Sequence, residues 1–237
     1  MAVTPEFVLF RPSLPENVGA AARAMANFDL DRLCVVGARG IAAEPRAVAT
    51  AADGAPVLAR ARAVDTLSAA IGSAQRVYAT AATDKRLRVP TIGPRELAAR
   101  LRSDAAAGLH AAVVFGPERT GLTYDELGHA DALVRIPTSD ACRALNLGQA
   151  VLLVAWEHAA AAPVPPAAAP AEPPAPRDAI DGFFGQLDEV LRSTSAFGEP
   201  ALRARLFDTL RALAFRAAPT VREVNTARGV LRALSRG

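Results

Sequence analysis

Short, almost uninterrupted apolar runs recur along the first two-thirds of the chain, with helical periodicities between them. Phe7–Phe10, Leu33–Val36, Arg76–Ala79, Ala111–Phe115 and Leu133–Ile136 read as strands. They show little alternation of polar and apolar positions, as expected of strands covered on both faces. Helical patterns fall at 17–29, 44–51, 65–72, 94–102, 122–128 and 145–158. The first of these opens on Pro15, Glu16 and Asn17, residue types that favour a helix start. Strands alternating with helices predict an α/β fold, a parallel sheet with helices on both faces.

Residues 159–177 break this pattern. Apart from one Val, one Glu and one Arg, AAAAPVPPAAAPAEPPAPR holds only Ala and Pro. Repeated proline excludes helix and favours extended polyproline II, a semi-rigid spacer. Beyond it, 179–191, 200–216 and 220–234 read as amphipathic helices. The last opens on Thr220 with Glu223 three residues on, the signature of a capping box. Three short helices bury little alone, so this tail is expected to dock on the rest of the chain or on a partner. The expected organisation is a main domain over 1–158, a linker over 159–177 and a helical extension over 178–237.

Composition narrows the partners. At 237 residues and 51% hydrophobic content, the chain can bury a full core. The net charge is only +3, but the pI of about 9.4 and the dominance of arginine lean towards anionic partners. Joint enrichment in Ala, Arg and Pro reads equally well as the mark of a GC-rich genome. Cys34 and Cys142 make no metal-type spacing, and His110, His129 and His158 are scattered. No metal and no disulfide scaffold are expected, and a reducing cytoplasm is the expected compartment. No uncharged window reaches membrane-span length.

Three polar clusters interrupt this apolar background. After the first strand, Asn17, Gly19 and Arg23 stand at the spacing N-x-G-x-x-x-R on an otherwise Ala-rich helix. In VVFGPERTGLTYDEL, residues 113–127, a strand ends at Phe115 and Gly116-Pro117-Glu118 makes a sharp exit. In VRIPTSDACRALNLGQAVLLVAWE, residues 134–157, a strand ends in a Pro-containing loop that enters an apolar helix near Leu145 and Asn146. Asn146 reads equally as a plain helix cap. Ligands of open α/β sheets sit beyond the carboxyl ends of strands, where these loops lie. None of them is a phosphate cradle, a dinucleotide fingerprint or a nucleophile elbow.

Taken together, NVGAAAR (17–23), FGPERTGL (115–122) and IP…ALNLGQAV (136–151) resemble the three motifs of the SpoU/TrmH group. That group belongs to the SPOUT superfamily of S-adenosylmethionine-dependent RNA 2′-O-methyltransferases. The match runs in order across residues 7–158. DGFFGQLDEVL (181–191) and TVREVNTARGVLRAL (220–234) resemble the C-terminal extension of TrmJ-type enzymes. Those methylate the ribose at position 32 of the tRNA anticodon loop.

The resemblance implies a parallel sheet whose C-terminal part forms a trefoil knot, and a methyl donor held by the knot loops. In this sequence those loops correspond to Thr80, Ala81 and Ala82, to Gly116, Pro117 and Glu118, and to Ile136, Arg143, Ala144 and Leu145. A glycine at 116 fits a backbone that approaches a ligand closely, and Ile136 and Leu145 suit the faces of an adenine. Arg23 matches the catalytic arginine, with Asn17 fixing the loop or the RNA and Asn146 orienting the ribose. With a pKa above about 12, arginine is a poor base. It is better suited to hold the neighbouring phosphate and to stabilise charge developing on the 2′ oxygen. Glu118 is open to either a catalytic or an architectural reading.

The arginine of one chain reaches the donor pocket of another in this group, so a homodimer is implied, with tRNA as partner and no membrane. RNA contacts are expected from Arg11, Arg39, Lys85, Arg86 and Arg88, and from Arg203, Arg205 and Arg211 in the tail. Each of these also reads as a solvated surface charge. One departure stands out: Ala144 occupies a position where the motif usually has Ser. The same chemistry on ribosomal RNA and a non-catalytic RNA-binding dimer are the alternatives. The first strand starts too near Met1 for the N-terminal substrate domain usual in ribosomal enzymes, and retention of Arg23 and Asn146 speaks against decay.

Overall fold

The computed structural model describes residues 3–81, 89–165, 170, 172–192 and 199–235. Among these, seven strands form one parallel sheet. They are β1 (Glu6–Phe10), β2 (Leu33–Val36), β3 (Arg62–Val64), β4 (Arg76–Thr80), β5 (Thr91–Ile92), β6 (Ala111–Phe115) and β7 (Ala132–Val134), in the spatial order β3-β2-β1-β6-β4-β7-β5. The continuous apolar runs are the central strands. The edge strands β3 and β5 lie outside the sequence expectation: β3 is mostly exposed, and β5 has two residues, too few for a pattern. β7 ends at Val134, before the expected Ile136, because Arg135 turns out into solvent.

Helices α1 (Pro15–Ala26), α2 (Pro45–Ala51), α3 (Ala55–Ala59), α5 (Pro94–Ala106) and α7 (Leu147–Ala160) cover one face of the sheet. Their apolar residues, among them Val18, Met25, Leu97 and Val151, pack with Phe7, Leu9, Val113 and Phe115. The Phe7 and Phe115 rings stack with centroids 5.6 Å apart. Alternate strand residues (Val8, Phe10, Val114, Leu133) face the other way, onto α4 (Leu67–Ile71) and α6 (Tyr124–Leu127). Strand residues of both parities are therefore buried, as their continuous hydrophobicity requires.

α1 starts at Pro15, the first of the three start-favouring residues, because proline occupies the first helical position without losing a bond. Gly19 sits where α1 crosses α2. A Cβ there would lie 2.2 Å from the Ala47 carbonyl oxygen, so only glycine permits the crossing.

The tail consists of α8 (Arg177–Arg192), α9 (Pro200–Ala217) and α10 (Val221–Leu234). Its own small core contains Ala175, Ile180, Phe184, Phe215 and Val224. The capping box expected at Thr220 and Glu223 is present. Ala175, in the Pro-rich segment, is buried in this core, and its amide donates to the Pro219 carbonyl at 2.7 Å. The tail docks on the main sheet layer. The Arg177 and Asp178 amides donate to the carbonyls of Ala74 and Gly72, both at 3.0 Å. The Arg177 side chain is 1% exposed, pairs with Asp131 and lies 3.9 Å from the centroid of the Phe215 ring. Among the described residues, no helix is long and apolar enough to cross a membrane.

Candidate active site

Loops leaving the carboxyl ends of β4, β6 and β7 enclose a pocket of about 450 Å³. Thr80, Ala81, Gly116, Pro117, Glu118, Ile136, Arg143, Ala144 and Leu145 all line it. Ala82, expected with them, lies outside the described residues, as do Lys85, Arg86 and Arg88. Leu122 and Leu127 add apolar wall, and Thr138 adds a hydroxyl, which donates to the Arg143 carbonyl at 3.2 Å. The volume and the apolar walls with polar edges suit a flat, partly polar ligand. Gly116 has a reason different from the expected ligand approach: a Cβ there would meet the Leu122 amide nitrogen at 2.6 Å, so the loop closes on itself only with glycine.

A chain of hydrogen bonds joins the three motif loops. The Ser13 hydroxyl and amide donate to Glu118 Oε2 at 2.8 and 3.2 Å. The Asn17 amide donates to Glu118 Oε1 at 2.6 Å, and Asn146 Nδ2 donates to Asn17 Oδ1 at 2.7 Å. Asn146 Oδ1 accepts the amides of Gly148 and Gln149, which caps α7, and Gln149 completes a capping box. The cap reading of Asn146 holds, and the same side chain also belongs to the polar chain. Burial raises the Glu118 carboxyl, but hydrogen bonds from Asn17, its own backbone and Ser13 more than offset this and leave its pKa below the ordinary value. Among the described residues Glu118 is thus an anionic hub, saturated by donors from two loops.

Arg23 is exposed on α1 and lies outside this pocket. It opens instead on an adjoining recess of about 270 Å³ with Ala20, Thr50, Asn146, Gln149 and Leu152. Asn146 lines the recess, while its chain neighbours Leu145 and Leu147 line the pocket. Several expected RNA contacts have other occupations. Arg39 forms a bidentate pair with Asp65, Arg203 lies 3.7 Å from Asp188, and Arg211 lies 3.2 Å from Asp181. Arg11 and Arg205 are exposed. Arg11 holds the unusual φ of 46° and lies over the Phe10 ring at 5.0 Å. Burial pushes the Cys34 thiol up to about 11, so it is no nucleophile at neutral pH.

Ser13, Leu122 and Leu127 are site residues that sequence reasoning missed. Ser13 has a helix-cap signature, three residues before Glu16, but Leu14 holds the N-cap position with no side-chain cap, and Ser13 reaches across to Glu118 instead. That choice of partner, 105 positions away, has no local signal.

The sheet, the pocket beyond its carboxyl edge and the three linked loops define a known class: the chain belongs to the SpoU methylase family, whose model, described as the SpoU rRNA Methylase family, matches residues 5–156. Residues 178–237 match the model of the tRNA methyltransferase TrmJ C-terminal domain. The relatives narrow this further. The chain is 36% identical over 232 residues to the tRNA (cytidine/uridine-2′-O-)-methyltransferase TrmJ of Cronobacter sakazakii, covering 94% of this chain and 93% of that one. Among solved structures, TrmJ from Z. mobilis aligns at 33% identity and a TM-score of 0.87, covering 98% of this chain and 100% of that one. A structure concerned with 2-OH methylation of C/U34 on tRNA aligns at 26% identity and a TM-score of 0.52, covering 67% of this chain and 95% of that one.

Proposed function

We propose that this protein is a homodimeric, S-adenosylmethionine-dependent methyltransferase that acts on the ribose 2′-hydroxyl of cytidine or uridine at position 32 of tRNA, in the cytoplasm. The observation that carries the reading is the hydrogen-bonded chain Ser13–Glu118–Asn17–Asn146, which fixes three loops around one pocket and presents Asn146 to the recess holding Arg23. The full-length likeness to TrmJ, tail included, supports the tRNA substrate over a ribosomal one. The trefoil threading of the pocket loops belongs to the same reading.

The residues fit the donor. Ile136, Leu145, Leu122 and Leu127 supply apolar walls for an adenine, and the backbone of the 116–118 and 143–145 loops supplies polar edges. Bound there, S-adenosylmethionine supplies an electrophilic methyl group on a sulfonium. Asn146 Oδ1 is saturated by two backbone amides and one Nδ2 hydrogen goes to Asn17, so the second Nδ2 hydrogen is left to hold a ribose oxygen. Arg23 clamps the adjacent phosphate and stabilises negative charge on the 2′ oxygen. As the oxygen–carbon bond forms and the methyl–sulfur bond breaks, the thioether would leave as S-adenosylhomocysteine and the hydroxyl proton would pass to solvent water. Ala144 supplies no hydroxyl; Thr138, on the same pocket wall, carries one, whose hydrogen goes to the Arg143 carbonyl.

Arg23 lines a recess outside its own chain's pocket, and this motivates the dimer. Val48, Leu152, Leu153 and Trp156 form exposed apolar surface beside it, Trp156 at 49% exposure. A second copy covers that surface and brings its own arginine to this pocket.

The test is methyl transfer from labelled S-adenosylmethionine to bulk tRNA, with Arg23→Ala as control and mapping of the product. Label on the ribose at position 32, absent with the variant, is expected. Donor binding without transfer to any tRNA would turn the reading towards ribosomal RNA or a non-catalytic RNA-binding dimer. Trp156→Glu, followed by sedimentation, should give an inactive monomer.

A further inference from the structure

We propose that the C-terminal helices brace the methyl-donor pocket from behind, through the hydrogen bond from the Tyr124 hydroxyl on α6 to the Asp208 carboxylate on α9, 2.8 Å long. This rests on the reading of the pocket as the donor site. α6 is four residues long, and one turn closed by its own capping box cannot hold its place on a sheet unaided. Its two sides have different partners. Inward, Leu127 is buried and lines the pocket together with Leu122, which leads into the helix. Outward, Tyr124 is half-buried against the tail.

The tail holds the same segment at a second place. Asp131, between α6 and β7, pairs with the buried Arg177, and it immediately precedes β7, whose last residue Val134 also lines the pocket. α9 is tied to that anchor, because its Phe215 ring lies against the Arg177 guanidinium. Residues 122–134 are thus clamped between the sheet on one side and α8 and α9 on the other. Tyr124 and Asp208 are positioning residues: neither lines the pocket, and both act through Leu127 and Leu122.

The experiment measures S-adenosylhomocysteine affinity by calorimetry on the full chain without RNA, together with amide exchange across 122–128. Tyr124→Phe and Asp208→Ala should each weaken binding by roughly two- to tenfold, the fold-change of one net hydrogen bond. Amide exchange in α6 should quicken. Asp208→Asn keeps an acceptor oxygen and should restore affinity. Thr220→Ala loosens α10 by removing its cap without touching α6 and should leave affinity unchanged.

Unchanged affinity with both Tyr124→Phe and Asp208→Ala overturns the brace. So does an equal loss with Thr220→Ala, which would make the effect a general loosening of the tail. A wild-type chain that binds neither S-adenosylhomocysteine nor S-adenosylmethionine would instead overturn the donor-site reading beneath the proposal.

Discussion

At Glu118, Ser13 and Asn17 donate three hydrogen bonds to one carboxylate. Glu118→Gln replaces an acceptor oxygen by an amide that faces these donors and leaves one of them unpaired. A loss of about 1–3 kcal/mol is expected, confined to the pocket loops and read as weaker S-adenosylhomocysteine binding. The same hydrogen bonds hold the pKa of Glu118 below the ordinary carboxylate value, so its contribution is present above that ordinary value and is lost only as pH falls through the lower folded one. Between about pH 5 and 8, donor affinity should not titrate through this group. His158 has the opposite chemistry but the same direction. Burial, aided by the Arg102 charge, pushes it from 6.5 down to about 4. The unfolded chain takes a proton at the higher value while the folded chain refuses it, so stability declines as pH falls from 6.5 towards 4. Urea midpoints at pH 7 and pH 5 should show the drop, and His158→Leu should flatten it.

Among the elements, α7 has its cap and the proposed ribose contact on a single side chain. Asn146→Ala removes both and should cost about 1 kcal/mol through the lost cap, with activity gone. Asn146→Asp keeps the capping oxygen but no longer donates to Asn17, whose Oδ1 it would face with charge. Melting temperature should stay near the native value while methyl transfer is lost, separating the two roles. Elements of this kind are legible in sequence when a local pattern writes them. β1, β2, β4 and β6 are bare apolar runs, and the caps of α7 and α10 are spelled within four residues. β3 is not legible: it carries the exposed Arg62, tied to Glu6 and to the Ala70 carbonyl, and is a strand only because β2 lies beside it. The pocket was readable only through the order of three motifs. Its walls mix backbone and aliphatic side chains with Thr80, Glu118, Thr138 and Arg143, which are scattered over three loops at no spacing that marks a ligand site by itself.

For the whole molecule, the decisive contact is between tail and sheet, and it rests on a buried charge. Asp131→Asn keeps an oxygen for the Val77 amide, 2.7 Å away in the native chain, but leaves Arg177 uncompensated at 1% exposure. A loss of about 3–5 kcal/mol is expected. Pairing it with Arg177→Met should recover most of that loss, as denaturant midpoints of the single and double variants would show. No sequence pattern announced this pair. Asp131 and Arg177 are ordinary charges until the fold brings residues 46 positions apart together and excludes water.

The polar chain through the three loops also has a consequence in time. Its bonds close separations of 105, 101 and 129 residues, from Ser13 to Glu118, Asn17 to Glu118 and Asn17 to Asn146. Contacts so remote in sequence form only after the entropy of closing long loops has been overcome, so they arrive late in folding. During synthesis, α1 emerges with Asn17 and Arg23 long before either of its distant partners exists. A growing chain therefore carries Arg23, the arginine proposed to act on the ribose, before the loops that form the pocket have been made, and the site is complete only once α7 has emerged.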